Sequence, residues 1–211
     1  MASSDESDRT DRLLEAAEMG DESALNHLIE MHRDYLRRVV NLRMDQALRG
    51  RVDPSDIVQE TQMVANKRMQ DFLQRRPTSF KLWLRGEAIQ QVGAQYRRHV
   101  QADRRSVRRE CSISDASGVM IAEQLLSGTP SKILDRRETA DQVRDAVESM
   151  PKNDREILLL RYVEGLSNAE ASEVLTIDPA SARKRHGRAL KRLLSVLIEA
   201  GLAPNNDASE P

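Results

Sequence analysis

One cysteine, Cys111, stands in 211 residues, so the chain can close no internal disulfide and build no multi-cysteine zinc site. Cys111 itself reads as a small, partly buried residue. Aromatics are also scarce, with one tryptophan, three tyrosines and two phenylalanines. Glycine and proline are few and lie at segment edges, whereas Leu, Met, Ala, Arg and Glu abound. That mix favours an all-α fold with small cores over one thick sheet. No apolar run approaches the roughly 18 residues of a membrane span. The opening MASSDESDRTD is acidic and polar, unlike a signal peptide, so a cytoplasmic location is expected. His27, His32, His99 and His186 show no metal-ligand spacing with acids or cysteine. Ser–His–Asp sets and glycine-rich phosphate loops are missing too. The sequence thus predicts no enzyme, no cofactor and no metal.

Net charge is −1, but the charge is unevenly spread. Asp5, Glu6, Asp8, Asp11, Glu15, Glu18, Asp21 and Glu22 face only Arg9 and Arg12 near the start. Residues 97 to 109 reverse the sign, with Arg97, Arg98, Arg104, Arg105, Arg108 and Arg109 against Asp103 alone. Arg183, Lys184, Arg185, Arg188, Lys191 and Arg192 form a second basic island. Two such islands suggest two separate DNA contacts. The acidic segments repel phosphate and predict weak DNA affinity for the protein alone.

Punctuation divides the chain further. Residues 1–9 read as disordered, with Thr10 capping a short helix that ends at Met19-Gly20. Asp21 or Ser23 starts a longer helix, whose apolar stripe runs from Leu25 to Leu48 before Gly50 stops it. Asp53-Pro54 is a cap followed by a first-turn proline. Ile57, Val58, Met63, Val64, Met69 and Phe72 continue helically. Residues 74–79 are a loop by composition, and a helix runs from Phe80 through Tyr96 into the arginines. Residues 111–130 turn small and Ser- and Gly-rich, which marks a linker with one short turn around Ile121 to Leu126. Helix resumes through Ile133 to Met150 and again from Pro151 to about Val163, where Gly165 closes it. The organisation expected is an acidic N-terminus at 1–9, a helical domain at 10–110, the linker, a second domain at 131–200 and a flexible tail at 201–211.

Residues 167–192 carry the strongest local signal. Ser167 with Glu170 fits a capping box, and Asp178-Pro179 starts a second helix. Ala171, Val174, Ile177, Ala182, Ala189, Leu190 and Leu193 supply a seam between the two. This is a helix-turn-helix whose second helix suits a major groove.

Met150-Pro-Lys-Asn-Asp-Arg-Glu-Ile-Leu-Leu-Leu-Arg-Tyr-Val-Glu-Gly-Leu-Ser167 resembles the start of region four of bacterial RNA polymerase sigma factors of the extracytoplasmic-function (ECF) group. The helix-turn-helix continues the likeness. Val52-Asp-Pro-Ser-Asp-Ile-Val-Gln-Glu-Thr61 resembles the core-polymerase-binding helix of region two. Phe80-Lys-Leu-Trp-Leu84 with Tyr96-Arg97-Arg98 resembles its promoter-melting part. The likeness covers roughly residues 10 to 198, and the extension to Arg109 looks most like planctomycete-like types. Region two would then occupy 10–110 and region four 131–200.

This resemblance implies a sigma factor, monomeric when free, whose partners are core RNA polymerase, promoter DNA and an anti-sigma protein. Asp56, Ile57, Gln59 and Glu60 would dock on the polymerase coiled coil. Arg75, Arg76, Phe80, Gln90, Tyr96, Arg97 and Arg98 would serve the −10 element and melting. Phe80 and the 75–79 loop would cradle a flipped base, while Phe72 and Trp83 read as packing. Ser181, Arg183, Lys184, Arg185, Gly187 and Arg188 would read the −35 element, with Arg183, Lys184 and Arg188 on one outward face. Relatives usually have glycine where Thr176 stands, which predicts a rearranged turn if that position needs a left-handed backbone. Ala182 and His186 predict a looser small core, and Gln90 with Ala94 an altered promoter preference. The rivals are a one-component helix-turn-helix regulator acting without polymerase and a purely protein-binding helical adaptor.

Overall fold

The computed structural model describes residues 2–99, 121 and 136–201. The expected linker at 111–130, Cys111 and the arginines at 104–109 therefore lie outside the described residues, as does the tail beyond Gly201; only Ile121, buried, is seen between the helical stretches. Every regular element described is helical, and the chain divides into two compact units, Met1–Cys111 and Ser112–Pro211.

In the first unit, α1 (Ala2–Glu18) packs on α2 (Glu22–Met31). The helix begins at Ala2 rather than Thr10, since no glycine or proline interrupts the stretch before Gly20. Gly20, at φ 90°, turns the chain. Asp21 caps α2 by accepting hydrogen bonds from the Ser23 and Ala24 amides at 2.8 and 3.1 Å.

The long helix expected up to Gly50 is three pieces: α2, α3 (Arg33–Arg43) and the single turn α4 (Gln46–Arg49). His32, 2% exposed, occupies the first break; its Nδ1 lies 2.9 Å from the Leu28 carbonyl and its ring meets Phe80 edge-on. Burial of that ring redirects the helix where the sequence carries no glycine or proline. At the second break Asp45 caps α4, accepting from the Leu48 amide at 2.8 Å.

Asp53 accepts from the Ser55 amide at 2.7 Å and Pro54 opens α5 (Pro54–Arg75), as the cap-plus-proline pattern predicts. Arg76 at φ 35° ends it, and α6 (Phe80–His99) returns antiparallel. Both pack on α3, around a core that includes Leu36, Val39, Ile57, Val58, Phe72, Leu84 and Ala88.

The second unit comprises α7 (Arg136–Ser149), α8 (Lys152–Leu158), a π-helical turn (Leu159–Val163), α9 (Asn168–Leu175) and α10 (Pro179–Glu199). The π turn shows in the Glu164 amide, which reaches back five residues to the Leu159 carbonyl at 3.0 Å. Gly165 at φ 68° then reverses the chain. α10 packs along α8, α9 and α7, burying Ala182, Ala189, Leu193 and Leu197. Ala171 of α9 and Ala182 of α10 are both fully buried.

Candidate nucleic-acid interface

Both caps of the helix-turn-helix are formed. Ser167 Oγ accepts from the Glu170 amide at 3.1 Å, while Glu170 accepts from the Ser167 amide at 2.7 Å. Asp178 accepts from the Ser181 amide at 2.9 Å, and hydrogen bonding from Ser181 holds its carboxyl below the usual carboxylate range. Between the helices Thr176 lies in the left-handed region, at φ 53° and ψ 46°. The turn thus keeps the conformation that favours glycine, contrary to the predicted rearrangement. Ile177 remains anchored, its amide bonding the Ser172 carbonyl at 3.0 Å. The small core is supplemented by a pair: His186 Nε2 lies 3.3 Å from the Tyr162 hydroxyl, with ring centroids 5.7 Å apart. Burial lowers the His186 pKa, helped by the nearby Arg161 charge, and burial raises that of Tyr162.

Ser181, Lys184, Arg188 and Lys191 follow one another along the outward side of α10, and with Arg185 and Gly187 they line an open concavity of about 550 Å³. No acid pairs with Arg183, Lys184, Arg185, Arg188 or Lys191 among the described residues. Arg183 is exposed but does not line this concavity. Arg183 directly precedes Lys184, a step of about 100° around a helix, so the expected single face of Arg183, Lys184 and Arg188 is split. Sequence reasoning missed Lys191, although its spacing of three from Arg188 and seven from Lys184 is the signal for a shared face. Arg192 is diverted: its guanidinium pairs with Asp154 at the start of α8.

The proposed docking set divides as well. Asp56 and Gln59 are exposed, one helical turn apart on α5. Ile57 is fully buried, because hydrophobic packing against α3 and α6 claims that side of the helix. It supports the surface from beneath instead of touching a partner. Glu60 is half-buried and accepts a 2.7 Å hydrogen bond from Gln95 Nε2. Met63, one of the apolar residues read as continuing the helix, is 56% exposed, one turn from Gln59.

Within the melting set, Phe80 cannot cradle a base. It is 2% exposed, locked edge-on against His32 and Phe72 and tilted on Trp83 at 5.6 Å. Phe72 and Trp83, read as packing, stack at 4.6 Å. Arg75 pairs with Asp71 at 3.1 Å and Arg76 with Glu18 of α1 at 2.6 Å, both pairs well exposed to solvent. Such exposed pairs are worth little, about 1 kcal/mol at most, and leave both guanidinium groups available to phosphate. Gln90, Arg97 and Arg98 are exposed and Tyr96 is half-buried. Gln90 lies between Gly86 and Gly93; the space over Gly86 is open beyond its own helix backbone, whereas a Cβ at Gly93 would touch the Arg97 guanidinium at 3.4 Å.

Among the described residues no His, Cys, Asp or Glu cluster can hold a metal, and no helix is long and apolar enough to cross a membrane. A capped helix-turn-helix with an unpaired basic stripe defines a helical DNA-binding protein. Residues 140–193 match the family described as Sigma-70, region 4. The ECF RNA polymerase sigma factor SigD of Mycobacterium tuberculosis is 25% identical over 195 residues, covering 92% of this chain and 86% of SigD. The RNA polymerase sigma factor CnrH of Cupriavidus metallidurans is 28% identical over 196 residues, covering 90% and 95%. The solved structure of CnrH in complex with the cytosolic domain of CnrY shares the fold, with a TM-score of 0.54 at 21% identity over 91% of this chain and 98% of that one. Along most of its length the chain is thus similar to ECF sigma factors, and its residues 140–193 carry the match to sigma-70 region 4.

Proposed function

We infer that this protein docks on core RNA polymerase through α5 and directs initiation by holding two promoter elements. Asp56, Gln59 and Met63 form the docking surface, over a foundation that includes Ile57. Lys184, Arg188, Lys191 and Ser181 enter the major groove at the −35 element, while Arg183 and Arg185 flank them. An arginine in such a stripe discriminates guanine by about 1 to 3 kcal/mol. The −10 strand follows Arg75, Arg76, Gln90, Tyr96, Arg97 and Arg98, with phosphate contacts from the arginines and stacking on Tyr96. The observation carrying this reading is the unpaired basic stripe on a capped recognition helix, in a chain similar to ECF sigma factors. The protein acts in the cytoplasm. The solved complex of CnrH with the cytosolic domain of CnrY supports an anti-sigma protein as a further partner of this chain.

Co-purification with core polymerase, followed by sequencing of transcripts made by the reconstituted complex, tests the proposal. Transcripts starting a fixed distance from shared upstream elements are expected. Tight duplex binding by the protein alone, with no polymerase complex, would establish the one-component regulator instead.

A further inference from the structure

The α5–α6 hairpin keeps one register along its length. Phe72 stacks on Trp83, Arg68 bonds both oxygens of Glu87 at 2.7 and 2.9 Å, and Glu60 accepts from Gln95. Four residues from Arg68 to Phe72 match four from Glu87 back to Trp83; eight from Glu60 to Arg68 match eight from Gln95 back to Glu87. The first two pairs, with the covalent loop, already fix the closed end and the middle of the hairpin. The Glu60–Gln95 pair governs its open end.

That end is where the two proposed surfaces of the first unit adjoin. Glu60 follows Gln59 directly and stands one turn from Asp56. Gln95 directly precedes Tyr96, Arg97 and Arg98. The Gln95 side chain sits in a residue only 5% exposed, so its amide has little water to turn to if Glu60 moves. The Glu60 carboxylate is half-exposed and makes no other hydrogen bond among the described residues. A donor on a docked partner therefore reaches the same carboxylate that orients Gln95.

Resting on the docking and strand-holding assignments above, we propose that the Glu60–Gln95 hydrogen bond couples polymerase docking to capture of the −10 strand, with Gln95 the positioning residue for Tyr96, Arg97 and Arg98. Linkage makes the effect reciprocal: the strand must tighten docking by the factor by which docking tightens the strand.

The test measures affinity of the full-length protein for core polymerase with and without a single-stranded oligonucleotide. Its sequence is the non-template −10 segment that the wild-type complex selects from a randomised pool. The oligonucleotide should tighten wild-type docking about fivefold or more. That factor should collapse toward one in Gln95→Ala and in Glu60→Ala, fall no further in the double variant, and survive in Glu60→Gln, which keeps an acceptor. Docking of Gln95→Ala without DNA should match wild type, a pattern that general loss of structure does not produce. An undiminished factor in Gln95→Ala, or losses that add in the double variant, overturns the coupling. Should circular dichroism show Gln95→Ala unfolded, Gln95→Met, similar in length, carries the same measurement. Failure of the wild-type protein to bind core polymerase would instead defeat the functional reading itself.

Discussion

Thr176 holds a left-handed backbone in which its branched Cβ crowds the neighbouring carbonyl, a strain of about 1–2 kcal/mol for an L-residue. Thr176→Gly should therefore stabilise the second unit by about 1 kcal/mol after glycine's entropic cost, read as a higher urea midpoint; a lower midpoint would show that the hydroxyl compensates the strain. His186 leads to a pH prediction. Its folded pKa lies below the ordinary 6.5 because burial, then Arg161, disfavours the imidazolium. Between 6.5 and the lower folded value the unfolded chain binds the extra proton, so stability is full above 6.5 and declines as pH falls through that window. Denaturation at pH 7.5 and 5.5 should show this loss in the wild type and a smaller one in His186→Phe. An equal loss in both proteins would assign the acid sensitivity to other groups.

At the scale of elements, the helix starts were the most legible part of the sequence. Asp53-Pro54, Ser167 with Glu170, and Asp178-Pro179 all cap as read, because a cap is a contact between near neighbours. Ser167→Ala should cost about 1 kcal/mol, measurable in the same urea titration. The break at His32 was illegible, since its cause, the Phe80 ring, lies far along the chain. The same long-range packing removed Ile57 and Phe80 from the candidate surfaces and exposed Met63. Helical spacing places residues around a helix but does not say which side a neighbour will cover. Met63→Lys should weaken polymerase docking about tenfold or more if the side chain is a buried anchor there, without changing the thermal midpoint; unchanged docking would place the contact elsewhere on α5.

At the scale of the molecule, a net charge of −1 conceals separated signs. The acidic start of the chain and the basic stripe of α10 belong to different compact units, so the two signs are carried by separate parts of the chain. If Lys191 meets a phosphate, Lys191→Ala should lower the slope of log affinity against log salt by about 0.9. Titrating the holoenzyme onto promoter DNA at several salt concentrations measures it, and an unchanged slope would remove Lys191 from the interface.

The π-helical turn at Leu159–Val163 has a consequence for chain exchange between relatives. Such a turn amounts to one residue inserted into an α-helix, so every side chain beyond it is rotated by about 100° relative to an uninterrupted helix. Tyr162, within the turn, meets His186. A chimera that joins the first part of α8 to a relative's uninterrupted helix must therefore drop one residue at the junction. Spliced residue for residue, it would present the wrong side of the helix to α10 even if every substituted amino acid were the same.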